Sequence, residues 1–304
     1  MLLKEKNIVI SYKNPDTDGV ACSIGMATLM ANADEKWEPA ILGEIGKETQ
    51  YVLNQANIPY PQVIESFSEV SRIVLVDTHH KSQLPDDFPS EKVVMIIDHH
   101  PNGDDIFPNA VIIDKKIGAA ASIVAEKLYK ADRLEPKIAF LLGCAIVSNT
   151  LNFTAPSTSD YDREIYEMIN KTTIISEETI EEMFINRSAV LRENIYDALI
   201  SDFKIFDTKE GKVGISQIEA YNLEAMIDIP RAVEALNEIA QEKGISYCLF
   251  NGVDIKANKS IVLAANEVSE KLLCRIYGLE KYSSPIRFDR ILLRKTDFVP
   301  LLNK

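Results

Sequence analysis

The sequence predicts an α/β protein. An N-terminal domain is expected to hold a mostly parallel sheet with helices on both faces, followed by a smaller α+β domain with a mixed sheet. Two observations lead there. Over residues 7–150, short apolar runs alternate with segments of helical period, the signature of strands joined by crossover helices. Three of those runs also end in Asp- or His-rich clusters, which a parallel sheet gathers at its carboxyl edge, where open α/β folds place their ligands.

In chain order, Ile8-Val9-Ile10 reads as a strand within 7–11 and leads to Asn14-Pro15-Asp16-Thr17-Asp18-Gly19, then to a helix around 19–31. Strands are expected near 72–76, 93–97 and 111–113, and helices over about 118–130 and 136–148. Thr154 to Asp160 is a polar break in which Ser159 or Asp160 can cap the helix carrying Tyr161 to Met168. Residues 175–200 are charged with helical period, and a linker at 187–190 divides domains 1–186 and 191–304. In the second domain, strands are expected near 203–206 and 212–218, a helix near 231–243, and a hairpin at Asn258-Lys259 between strands 246–252 and 260–264. A helix at 265–276 and a final strand at 290–294 complete it.

The chain has 304 residues, 46% of them hydrophobic, enough for two real cores. The net charge of −13 argues against nucleic-acid polymers and anionic membranes as partners, since both require basic surface. Cys22, Cys144, Cys248 and Cys274 lack CxxC spacing and lie in apolar stretches, so they read as buried free thiols of a reducing compartment. With no signal-peptide h-region at Met1 to Lys6 and no membrane-length apolar run, the expected location is the cytoplasm.

The three clusters are Asp16/Asp18, then Asp77-Thr78-His79-His80 after Ile73 to Val76, then Asp98-His99-His100 after Val93 to Ile97; all four histidines lie in the last two. A lone Asp after a strand is ordinarily a turn residue or cap, and a lone His pair is ordinarily structural. Three clusters on three strand ends are better explained as one polar site. Carboxylates with imidazoles and no thiolate suit Mn2+, Mg2+, Co2+ or Fe2+, and a carboxylate such as Asp77 can bridge two ions and so support phosphoryl chemistry.

These motifs resemble the DHH phosphoesterase superfamily with its DHHA2 domain, and within it the family II, manganese-dependent inorganic pyrophosphatases. The likeness rests on Asn14 to Asp18, on Leu42-Gly43 with Glu48-Thr49-Gln50-Tyr51, on Val76-Asp77, and on Asp98-His99-His100. It extends through Gly118 to Ile123, Ala145 to Ser159, Asp202-Phe203-Lys204 and Arg294-Lys295. The resemblance implies one ion held by Asp16 and Asp77 and another by Asp18, Asp77 and His99. It implies His100 at the substrate phosphate, with Lys204, Arg294 and Lys295 closing over the leaving phosphate from the second domain. The cofactor would be one or two divalent ions, Mn2+ first and Mg2+ or Co2+ as alternatives. The reaction would be hydrolysis of a phosphoanhydride (pyrophosphate, short polyphosphate or a nucleotide) in the cleft between domains. A homodimer through the N-terminal domain is also implied.

The chain departs from that pattern inside the motifs. Tyr12 stands where the family has a metal-ligating His, and Asn149 where it has a metal-ligating Asp. Thr78 and Leu293 replace a His and a Ser. Asn149 can still ligate through its carbonyl oxygen, whereas Tyr12 ligates well only as a phenolate. Period-two alternation places His79 on the side of Asp77, so it is a candidate substitute ligand. Two further readings therefore stand beside the hydrolase: a catalytically weak phosphate- or nucleotide-binding paralogue, and an exonuclease of other DHH branches, which the acidic balance disfavours.

Overall fold

The computed structural model describes residues 6–303, which divide into two compact units at Met183/Phe184. In the first unit six strands form one sheet: β1 (Lys6–Ile10), β2 (Trp37–Ile41), β3 (Gln62–Val63), β4 (Val70–Val76), β5 (Val93–Asp98) and β6 (Val111–Asp114). Their order is β3-β2-β1-β4-β5-β6, and every neighbouring pair is parallel. The order reverses between β1 and β4, so the loops after those strands diverge to opposite faces and leave a crevice at their carboxyl ends. The clusters after β1, β4 and β5 meet there.

Helices α1 (Thr17–Met30), α2 (Lys47–Gln55), α3 (Ala120–Lys130), α4 (Pro136–Asn149), α5 (Asp160–Ile169) and α6 (Glu177–Arg187) follow in order. The strand and helix at 37–41 and 47–55 had no counterpart in the sequence reading, because Glu38 and Pro39 interrupt the apolar pattern of β2. Apolar side chains of β1, β4 and β5 form one core with Phe67, Leu84 and Phe107. Gly25 of α1 lets that helix press against Val124 and Leu142 of the neighbouring helices. Pro136 opens α4 at a position where its missing N–H costs nothing.

Ser159 caps α5 through a capping box with Asp162, one of the two capping residues expected. Asp162 does more. It is fully buried and accepts from Gly118 N at 2.8 Å, Ser122 Oγ at 2.7 Å, and the amide and hydroxyl of Ser159 at 2.9 and 2.7 Å. One carboxylate thus fixes the turn that starts α3 to the start of α5.

The second unit continues with α7 (Ala189–Glu193) and α8 (Ile195–Ser201), then β7 (Phe203–Thr208), β8 (Gly211–Ala220), α9 (Leu223–Met226) and α10 (Ile229–Lys243). It ends with β9 (Tyr247–Asp254), β10 (Lys259–Ala264), α11 (Glu267–Tyr277), β11 (Ile286–Phe288) and α12 (Val299–Leu302). The sheet order is β11-β10-β9-β8-β7, with β8 and β9 parallel and the other pairs antiparallel, the mixed sheet the sequence implied. The final strand expected at 290–294 is corrected: the edge strand is β11, and Arg294–Phe298 is a π-helical turn. Residues 292–293 give their backbone to side chains instead of a ladder. Leu292 N donates to Ser260 Oγ, Leu292 O accepts from Asn251 Nδ2, and Leu293 N donates to Asp297 Oδ2, each within 2.9 Å. Cys22, Cys144 and Cys248 are buried free thiols as expected, while Cys274 is half-buried.

Asp162 generates a prediction. Replacing it with Ala strands several buried donors at once, so Asp162→Ala should cost about 3 kcal/mol or more, read as a lower midpoint of urea unfolding.

Candidate functional site

The turn after β1 is set by Asn14, which adopts a left-handed φ of 52° and accepts from Glu44 N at 3.0 Å. Gly43, itself at φ +83°, supplies the close approach, since a Cβ there would collide with the Asn14 amide. Asp16 then caps α1, its Oδ1 accepting from the amides of Asp18 at 2.9 Å and Gly19 at 3.1 Å. The Tyr12 hydroxyl accepts from Asp16 N at 3.2 Å. Burial, followed by the charges of Asp16 and Asp77, pushes the Tyr12 phenol well above its ordinary value of 10. It is a neutral phenol with a backbone partner, and the phenolate that would ligate a metal is disfavoured.

Asp18 is buried and surrounded. Its Oδ1 accepts from Ala121 N at 2.8 Å and from the Cys22 thiol at 3.5 Å. Its Oδ2 accepts from Ala120 N at 2.8 Å and Asn149 Nδ2 at 2.9 Å. The N-terminus of α3 therefore grips this carboxylate, as helix N-termini grip anions. Burial first and Asp16 next raise its carboxyl to about 6, against the lowering effects of His99 and the two amides. A carboxylate has about four lone-pair sites, and here each has a donor.

Asn149 explains the last of those donors. Its Nδ2 faces Asp18 Oδ2, Gly118 O at 3.0 Å and His99 Nε2 at 3.3 Å. Turning the amide over would aim its oxygen at a carboxylate and a carbonyl, so the NH2 end is the one that fits. In this arrangement Asn149 presents its NH2 end, as a donor, to Asp18 and Gly118.

Asp77 ends β4 in a left-handed conformation, φ 60°, with its amide donating to Ile97 O at 2.7 Å. Non-glycine residues seldom adopt this conformation, and it turns the carboxylate into the crevice. Its Oδ1 is buried and accepts no hydrogen bond, yet it lies 3.2 Å from His99 Nε2 and 4.0 Å from His100 Nδ1. Among the described residues, Asp77, His99 and His100 form the one group of His, Cys, Asp and Glu side chains close enough to hold a metal ion. Burial, then Asp18, raises the Asp77 carboxyl well above 3.8. The His99 Nδ1 donates to Ile117 O at 2.9 Å, which aims Nε2 at the carboxylates. Burial lowers the His99 pKa, but Asp77 and Asp18 outweigh it and carry the imidazole to about 10. His99 Nε2 thus lies between two carboxylates, 3.2 Å from Asp77 Oδ1 and 4.0 Å from Asp18 Oδ2, a position suited to a cation.

Asp98 lies beneath this cluster and does not belong to it. Its Oδ1 accepts from the amides of His99 at 2.7 Å and His100 at 3.1 Å and from His100 Nδ1 at 2.8 Å, while Oδ2 pairs with His79 Nδ1. Burial opposes ionisation, but the bonds from His100 and His79 dominate and bring the carboxyl down to about 2. His79, the candidate substitute ligand, spends its Nδ1 here. A buried network joining three of the quoted motifs lies alongside: Glu48 accepts from Ser148 Oγ at 2.9 Å and Thr17 Oγ1 at 3.3 Å, tying α1, α2 and α4 together.

In the second unit Arg294 is buried. Its Nη2 bonds both oxygens of Asp202 at 2.7 and 2.8 Å, and its Nη1 donates to Ile215 O at 3.1 Å. The guanidinium expected to bind phosphate is thus paired with Asp202 within its own unit, joining the end of α8 to the turn after β11, while its Nε is buried without a hydrogen-bond partner. Lys204 Nζ lies 3.6 Å from Asp202 Oδ1 and is half exposed, and Lys295 is exposed.

Residues 6–146 match the DHH family, N-terminal domain, and residues 181–304 match the DHHA2 domain. A manganese-dependent inorganic pyrophosphatase of Methanocaldococcus jannaschii is 30% identical over 310 positions, covering 97% of this chain and 98% of the relative. A probable manganese-dependent inorganic pyrophosphatase of Bacillus cereus is 27% identical, over 99% and 98% of the two chains. The crystal structure of a putative family II inorganic pyrophosphatase of Methanococcus jannaschii superposes with a TM-score of 0.73 at 31% identity, covering 97% of this chain and 98% of the other. An exopolyphosphatase-related protein of Bacteroides fragilis shares the fold, with a TM-score of 0.54 at 13% identity over 90% of this chain and 83% of the other.

Asp98 supplies the prediction here. Its folded pKa of about 2 lies below the ordinary 3.8, so its stabilisation is complete above that value and is lost as pH falls toward 2. Asp98→Asn should cost on the order of 2 kcal/mol at pH 7, and its deficit against the wild type should shrink as unfolding is measured from about pH 4 downward.

Proposed function

The chain belongs to the DHH/DHHA2 family that includes the manganese-dependent inorganic pyrophosphatases, and from that membership we propose a divalent-metal-dependent phosphohydrolase acting on a phosphoanhydride. The substrate is pyrophosphate, a short polyphosphate or a nucleotide. The observation that carries this reading is the buried Asp77 Oδ1, without a hydrogen bond and 3.2 Å from a His99 Nε2 whose other ring nitrogen is held by Ile117 O. Buried orphan acceptors are rare and ask for a partner, and a carboxylate with an imidazole suits Mn2+, Mg2+ or Co2+.

The donor set supports one ion better than two. Asp77 and His99 would hold it, with Asp16 near enough to raise the Asp77 pKa. The second position fits poorly: Asp18 has no lone-pair site to spare, Asn149 turns its NH2 toward it, and Tyr12 is a neutral phenol. When bound, the ion supplies Lewis acidity toward a phosphoryl oxygen and acidifies water. His100, half-buried with Nδ1 given to Asp98, has its Nε2 left to exchange a hydrogen bond or proton with a phosphate oxygen. Lys204 and Lys295 are the cations we assign to the leaving phosphate, taking the part first expected of Arg294 as well.

Tyr12 and Asn149 favour a second reading, a phosphate- or nucleotide-binding paralogue with little turnover. Exposed Val111 (62%) and Ile112 (50%) on the edge strand β6 support the homodimer through the first unit's sheet edge.

The test is metal content together with phosphate release from pyrophosphate, tripolyphosphate and nucleotides under Mn2+, Mg2+ and Co2+. We expect about one equivalent of Mn2+ per chain, release from at least one substrate, and a fall of about a hundredfold or more in turnover for His100→Ala. Metal bound without release from any of them would select the second reading, and no bound metal would overturn the hydrolase. Asn149→Asp should free a lone pair on Asp18 and raise the Mn2+ content toward two equivalents, read by elemental analysis and by manganese spin resonance.

A further inference from the structure

We propose that His79 is a positioning residue that acts through Asp98 to fix the orientation and tautomer of His100. The role in turnover rests on the hydrolase reading above; the geometry does not.

Asp98 Oδ1 already carries three donors, the amides of His99 and His100 and the His100 ring. Among the described residues the partner of Oδ2 is His79 Nδ1. Without it, an anionic oxygen would be left bare in a fully buried position, at a cost of several kcal/mol. The carboxylate could recover that cost by swinging about its Cα–Cβ bond toward other donors, which would carry Oδ1 out of line with the His100 ring. With His79 in place both oxygens are committed, and His100 must keep its proton on Nδ1. Its Nε2 then carries the lone pair. A free imidazole prefers the opposite tautomer, with the proton on Nε2, so this arrangement is imposed by the pair beneath it.

The seat of His79 is built for that ring. A Cβ on Gly103 would fall on the imidazole, so the loop after His100 can close over it only with glycine there. That loop is pinned by Asp104, whose amide donates to His79 O at 3.0 Å and whose Oδ2 accepts from Lys81 N at 2.6 Å. His80 stacks on the outer side, with ring centroids 5.3 Å apart at 24°. His79 is buried and stands outside the Asp77, His99 and His100 group, so it acts on the site through Asp98.

The experiment reads the ring nitrogens of His100 by long-range 1H–15N correlation in the metal-free full chain, at one mildly alkaline pH, for wild type, His79→Leu and His79→Asn. Wild type should show the Nδ1–H form. His79→Asn, whose amide can reach Asp98 as Nδ1 does, should keep it, and His79→Leu should move His100 toward the Nε2–H form. On the substrate that the wild type hydrolyses, His79→Leu should lower kcat about tenfold, within the range seen when a buried orienting partner is lost, with KM held within about twofold. His79→Asn should recover most of the loss. An unchanged His100 signature in His79→Leu, or an Nε2–H signature in wild type, overturns the proposal. If His79→Leu does not fold, His79→Gln takes its place: its longer amide mimics Nε2, and a spectrum identical to that of His79→Asn overturns the proposal equally. Absence of phosphate release would defeat the hydrolase reading and leave the nitrogen spectrum to decide the role of His79.

Discussion

Burying an ionised carboxylate costs several kcal/mol unless donors or cations surround it, and the first unit buries three of them at one edge of its sheet. Asp18, Asp77 and Asp98 are each 1% exposed or less. The surrounding structure matches two of them in different ways. Asp18 takes the N-terminus of α3 and the Asn149 amide; Asp98 takes two imidazoles and two amides. Asp77 is left with a bare Oδ1. Burial and the charges of Asp18 and Asp16 raise its carboxyl against the lowering effect of His99, so negative charge is crowded at that point of the folded unit. The metal proposal rests on that local imbalance more than on any motif.

The topology places the imbalance where a ligand can reach it. Strands β1, β4 and β5 are adjacent and parallel, so their carboxyl ends share one edge. The register pairs Val76 with Ile97, one residue before Asp77 and Asp98, so the two carboxylates leave the sheet side by side. They then diverge because Asp77 turns to positive φ while Asp98 stays in the strand. One carboxylate goes into the crevice and the other goes beneath it. The unusual conformation of Asp77 is thereby tied to the direction its carboxylate takes, and residues in such conformations are common at functional sites.

The parallel sheet and its three polar strand ends were legible because apolar runs of four to five residues ending in Asp or His are hard to place elsewhere. What was illegible shares a cause: a side chain's partner lies far away in sequence. Asn149 reads as a weakened ligand until Gly118 O shows which end of the amide must face inward. The pairing of Arg294 with Asp202, 92 residues earlier, is equally invisible to local pattern. His79 has the right alternation for a ligand, and only the vacancy at Gly103 reveals that its ring lies beneath the site. The stretch 290–294 has strand-like composition, yet Ser260, Asn251 and Asp297 claim its backbone first. Local pattern specifies which residues are polar at a strand end, but tertiary partners decide whether each one faces the ligand or the core.

The Asn149 substitution has a consequence for the charge at the site. Replacing a carboxylate by Asn149 removes one negative charge, and its NH2 gives Asp18 the donor that a second cation would have provided. On the one-ion reading, three carboxylates (Asp16, Asp18 and Asp77) face a single divalent cation, and their combined charge leaves the site one unit negative. An anionic phosphate is then repelled unless nearby groups compensate. Asp18 is screened by a helix N-terminus and Asp98 by two histidines, so within this unit the burden falls on His100. A site of this kind relies more on its imidazoles than one with two ions does. That gives a physical reason for a chain lacking a metal-ligating histidine at position 12 to keep all four of its histidines in two adjacent clusters, two facing the crevice and one of the others anchoring the carboxylate that orients them.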